Sequence, residues 1–88
     1  MDIDKMALQR VLEGVRKHGV IDLSRDKRCF LRETLEELLD SINYCKWGYE
    51  KGQISEKDWQ QVDQTTRYTI GIIEKSCPLV KGIGEEHG

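Results

Sequence analysis

Four carboxylates, Glu33, Glu36, Glu37 and Asp40, stand three and four residues apart. On a helix, at about 100° per residue, they share an arc of about 100°. Glu33 with Glu37 and Glu36 with Asp40 are like-charge i,i+4 pairs, each costing about 0.2–0.5 kcal/mol. Arg32, one turn before Glu36, is the nearby cation with a direct i,i+4 partner in the group. Two readings account for the cluster. One is the solvated face of an amphipathic helix. The other is a site for a hard divalent cation such as Mg²⁺, which takes oxygen ligands from one or two carboxylates and from substrate phosphates. The same stripe continues into Asn43, Tyr44 and Trp47. Aromatic rings beside carboxylates suit a covered cleft in which a nucleobase or a partner helix stacks. They suit equally well packing under another helix or at a dimer seam.

Three helices are expected to position these groups. The first spans about 3–18. Its apolar residues Ile3, Met6, Ala7, Leu8, Val11, Leu12 and Val15 recur mostly at steps of three and four. Asp2 and Asp4 open it, Arg16, Lys17 and His18 close it, and Gly19 stands where a left-handed cap is wanted. Gly14 within it is read as a mark of close helix–helix approach. The second helix is expected over about 25–50, capped by Ser24 or Asp26. Leu31, Leu35, Leu38, Ile42, Cys45 and Tyr49 give it a strict a/d stripe, widened by Leu39. A rod of that length, about 37 Å, is long for so small a domain.

The turn falls at 48–54. The third helix is expected over about 56–77, with Ser55 as N-cap and Asp58 completing a capping box. Ile54 and Trp59 form a hydrophobic staple. Its stripe is Trp59, Val62, Thr66, Thr69, Ile70, Ile73 and Cys77. Pro78 ends it, and residues 79–88 are expected to be a mobile tail. The fold class is therefore all-α, a single helical domain over 1–78 with a long central helix. The narrow seams predict a homo-oligomeric bundle.

Composition narrows the function. Fourteen Lys and Arg against sixteen Asp and Glu leave a net charge of −2 in 88 residues, without the basic excess of a dedicated nucleic-acid binder. Arg25, Lys27, Arg28 and Arg32 form a basic patch, but the third helix offers only Arg67 and Lys75 after its first turn. It would read a polyanion poorly, so no nucleic-acid partner is expected. No apolar run approaches a membrane span, and the charged start MDIDKMALQR is unlike a signal peptide. A cytoplasmic protein without a membrane partner is expected. The cysteines, Cys29, Cys45 and Cys77, are odd in number and lack a C-x-x-C pair. They read as reduced thiols, with Cys45 and Cys77 as small core residues. No spacing supports a catalytic pairing of Cys29 with His18.

The run Glu36 to Tyr44, EELLDSINY, resembles the E-x-x-D helix of the MazG-like all-α nucleotide pyrophosphohydrolases, which include dimeric dUTPases and phosphoribosyl-ATP pyrophosphatases. From His18-Gly19 through Asp22-Leu23-Ser24 to Glu33 the chain also resembles short phage and prophage members, so the likeness covers about residues 18–50. It implies Glu37 and Asp40 as Mg²⁺ ligands. Glu33 and Glu36 would be further ligands or a water-activating catalytic base, and Asn43 and Tyr44, extended by Trp47, would line the nucleotide side. Family members pair E-x-x-D with an upstream E-E-x-x-E helix. Here the first helix reads ALQRVLEGVRKHG with one acid, Glu13, so the resemblance implies that Glu33 and Glu36, or a second subunit, complete the constellation.

Two functions follow as expectations. The first is a Mg²⁺-dependent nucleoside triphosphate pyrophosphohydrolase, or a degenerate nucleotide-binding relative. The second is a non-catalytic helical protein of phage accessory or inhibitor type, acting through protein–protein binding.

Overall fold

The computed structural model describes residues 1–77. The tail expected over 79–88, and Pro78 as its boundary, lie outside the described residues. Regular structure within them is entirely helical: α1 (Ile3–His18), α2 (Phe30–Glu50) and α3 (Glu56–Glu74). The all-α class holds, and the central helix is the longest at 21 residues against 16 and 19. No helix among the described residues is long and apolar enough to cross a membrane.

α2 and α3 form an antiparallel hairpin. Tyr49 stacks on Trp59 beside the turn, with ring centroids 4.6 Å apart and planes 5° from parallel. At the far end the Cys29 and Cys77 sulfurs stand 3.1 Å apart. The end of α2 thus meets the start of α3, and the start of α2 meets the end of α3. Leu35 is the one fully buried side chain among the described residues, 1% exposed. Around it Leu38, Ile42, Cys45 and Tyr49 from α2 are half-buried, as are Trp59, Thr66, Thr69, Ile70 and Ile73 from α3. The expected stripes are therefore the faces in contact, with Leu31, Leu39 and Val62 left exposed at the margins.

The turn is built by a Schellman arrangement. Gln53 N–H donates to Gly48 C=O at 2.8 Å and Gly52 N–H to Tyr49 C=O at 3.0 Å. This closure needs a left-handed residue just past the helix, and Gly52 supplies it at φ 77. Ser55 then caps α3, its hydroxyl accepting from Asp58 N–H at 3.1 Å.

α2 begins later than the sequence pattern suggested. Its first residue is Phe30 and its N-cap is Cys29, without a side-chain capping bond. Short-range side-chain bonds displace the helix. Asp22 Oδ1 accepts from the Ser24 backbone N–H at 3.1 Å and from its hydroxyl at 2.6 Å. Asp26 Oδ1 accepts from Arg28 N–H at 3.0 Å. Aspartates that satisfy nearby backbone donors offer the chain an alternative to helix, and residues 22–28 take it. α3 likewise ends at Glu74 and passes into a turn through Cys77.

α1 does not join the core. It makes only slight contact with the other helices, and none of its residues is buried. Gly14 is not a point of close approach, since a Cβ there would meet nothing within 4 Å. Asp2 caps α1 through Lys5 N–H at 3.0 Å. Gly19 ends it at φ 84 and ψ 179, a positive φ as expected but with extended ψ, a region left to glycine.

Candidate functional site

α2 carries the four carboxylates on a solvent face. Glu33, Glu36, Glu37 and Asp40 are all exposed. The ion pairs among the described residues lie elsewhere, joining Arg25 to Asp22, Arg28 to Asp26 and Arg67 to Asp63. The expected Arg32–Glu36 pairing is not among them. No group of three or more Asp, Glu, His or Cys side chains among the described residues is placed to hold a metal ion.

The aromatic extension is present but uncovered. Tyr44 is 70% exposed and Trp47 53%. Their rings meet edge to face, centroids 5.5 Å apart at 88°. Asn43 beside them is exposed as well. Among the described residues more than half of each side chain therefore faces solvent.

A concavity does lie between α1 and the rest. It is an open cleft of about 650 Å³, lined by Val11, Val15, Val20 and Ile21 as apolar wall, with Arg10, His18, Arg28 and Glu37 as its ionisable groups. Glu37 is the only one of the four α2 acids that opens onto it. Arg28 is fixed there by Asp26, through Nε–Oδ1 at 3.0 Å and Nη2–Oδ2 at 2.6 Å. Its guanidinium also lies 5.1 Å from the Phe30 ring centroid. The Arg28 guanidinium, and next its backbone N–H, hold the Asp26 carboxyl down to about 2. Arg28 thus already has its counter-ion in Asp26, which leaves Arg10 as the arginine on this lining without an ion pair among the described residues.

The second cluster, Cys29 with Cys77, went unread in the sequence. Its spacing of 48 residues carries no motif. The signal was available in the hairpin itself. Cys29 and Cys77 are equidistant from Gln53, as Tyr49 and Trp59 are from Ile54, so an antiparallel hairpin turning at 53–54 brings both pairs together. Cys77 is thus a partner for Cys29 and not simply a core residue, while Cys45 stays half-buried on the α2 stripe. The Cys29 thiol is pulled below the usual thiol range, first by the hydrogen bond from Cys77 and then by backbone N–H of Arg32 at the start of α2. The Cys77 thiol is pushed up as the donor in that bond.

No family model matches the sequence, and no curated protein or solved structure matches it either.

Proposed function

We propose that this chain is a helical protein-binding module whose docking element is α1, and that a second copy of the chain is what α1 binds. The carrying observation is the apolar stripe left in water. Ile3, Met6, Leu8, Val11 and Leu12 are 71, 49, 57, 55 and 54% exposed. Burying a side chain of this kind fully is worth about 1.5–3 kcal/mol, so a seat for α1 that covers even part of the stripe is strongly favoured. Charge argues for a copy of the same chain. α1 carries four Lys and Arg against two acids, and α2 carries five acids against two bases. Seating α1 of one copy against the acidic flank of α2 in another covers the stripe and relieves the carboxylate repulsion together. The exposed Tyr44–Trp47 pair lies on the same helix and offers the seat an aromatic rim. Such a module has the make-up of an accessory or inhibitor protein.

Size-exclusion chromatography with light scattering tests this on the full chain and on a Leu8→Asp/Leu12→Asp double variant. The reading expects a wild-type oligomer that becomes monomeric in the variant with its helix content kept. A wild-type monomer throughout, unchanged by the substitutions, contradicts it.

A second reading, nucleotide binding in the manner of the MazG-like enzymes, is favoured by one observation: Glu37 shares the α1–α2 cleft with Arg10, His18 and Arg28. In this reading the basic groups meet a triphosphate, and Asn43, Tyr44 and Trp47 meet the base. Mg²⁺ would then be held by Glu33, Glu36, Glu37 and Asp40, with further ligands from a second copy. Calorimetric titration with Mg²⁺ and Mn²⁺, alone and with nucleoside triphosphates, separates the readings. Metal-dependent nucleotide binding lost in Asp40→Asn supports the second. Assembly without any metal or nucleotide response leaves the first alone.

A further inference from the structure

We propose that Cys29 and Cys77 are a reversible redox pair that closes to a disulfide by exchange with a low-molecular-weight disulfide such as oxidised glutathione, stapling the start of α2 to the turn after α3. The sulfurs already stand 3.1 Å apart, and the hairpin that brings them there is held at its other end by the Tyr49–Trp59 stack. Cys29 is exposed, as an attacking thiol must be. It is the N-cap of α2, where unpaired backbone N–H groups and the positive end of the helix dipole favour a thiolate. The pull of Cys77 and of Arg32 N–H on the Cys29 thiol acts in the same direction. Cys45 lies 16 residues further along α2, about 24 Å away at 1.5 Å per residue, and is outside the reach of either partner.

The chemistry balances with the small disulfide as oxidant. The Cys29 thiolate attacks one sulfur of the small disulfide, forming a mixed disulfide and expelling one small thiolate. Cys77 then loses its proton, and its thiolate attacks the Cys29 sulfur of the mixed disulfide. The second small thiolate leaves as the Cys29–Cys77 bond forms. Two protein thiols are oxidised and one small disulfide is reduced to two thiols, which take up the two protons. Excess small thiol reverses both steps.

The test is incubation of the full chain in glutathione redox mixtures, with acid quenching, intact-mass measurement and peptide mapping. Wild type and Cys45→Ser are expected to lose two hydrogens and give a 29–77 linked peptide. Wild type should keep one of its three thiols, Cys45. Cys29→Ser and Cys77→Ser are expected to stop at a mixed disulfide on the remaining member of the pair. A wild-type chain that accumulates stable mixed disulfides, links Cys45, or forms disulfide-bonded dimers in place of the internal bond overturns the proposal. All four proteins are compared by circular dichroism, so that a failure of Cys77→Ser to fold is not mistaken for a failure to exchange.

Discussion

Tyr49 and Trp59 lie face to face across the α2–α3 turn, 4.6 Å between centroids and 5° between planes. One is the penultimate residue of α2 and the other stands in the first turns of α3, so their contact sets the register of the whole hairpin. Trp59 also follows the Ser55 cap, with its backbone N–H on Ser55 C=O at 2.9 Å. With one side chain fully buried in the described residues, this stack and Leu35 are the principal apolar anchors. Trp59→Ala should cost about 2–3 kcal/mol, below the full-core range because the ring is only half-buried. Trp59→Phe should recover most of it. Urea denaturation of the three proteins measures both.

Two glycines should respond in opposite senses. Gly52 sits at φ 77 in the turn, where a Cβ is strained, so Gly52→Ala should destabilise by about 1 kcal/mol. Gly14 lies within α1 with open space around its Cβ position. Gly14→Ala should raise α1 helicity by about 0.5–1 kcal/mol. Chemical denaturation for the first and circular dichroism for the second read the two signs.

The second and third helices and the turn between them were legible because their signals were local and redundant. The a/d stripe through Leu35, Leu38 and Ile42 and the Ser55 cap each point to one structure, and they agree. The start of α2 was not legible in the same way. Ser24 and Asp26 are cap residues by type, and in the fold Asp26 turns its carboxylate to the backbone N–H and guanidinium of Arg28 instead. A residue that caps and a residue that builds a local turn use the same oxygen, so type alone does not choose. α1 illustrates a third case. Its amphipathic pattern correctly gives a helix over Ile3–His18. The pattern cannot say what covers the apolar side, because that depends on geometry beyond the helix. The acidic cluster is likewise real as an exposed face of α2, while spacing along one helix does not fix whether its side chains converge on an ion.

Acid should loosen the segment before α2. The Asp26 carboxyl is held at about 2 by Arg28, below its unfolded value near 3.9. Its contribution is therefore complete above the unfolded value and is lost as pH falls through about 2. Asp26→Asn should remove this dependence and free Arg28. A carboxyl-resolved NMR titration of wild type, with the Arg28 Nε–H resonance followed in parallel, shows whether the two change together.

Alkylation should separate the thiols. Cys29, lowered by Cys77 and by helix N–H groups, should react with iodoacetamide at lower pH than Cys77, which is raised. In Cys77→Ser the pH profile of Cys29 should move up toward that of a free thiol. Mass-resolved alkylation across pH 6–9 distinguishes this from equal reactivity, which would mean the pair is not coupled. In the oxidised form, closing a loop of this length should raise stability by about 4 kcal/mol on the chain-entropy account.

The central claim is that α1 is covered by another copy of the chain. Amide hydrogen exchange at two protein concentrations, micromolar and near-millimolar, tests it at the helix concerned. The account predicts that protection in Ile3–His18 rises with concentration while α2 and α3 near Leu35 change little. It predicts also that high salt lowers the α1 protection, because the basic α1 and acidic α2 attract. Protection of α1 that is absent at both concentrations would contradict it.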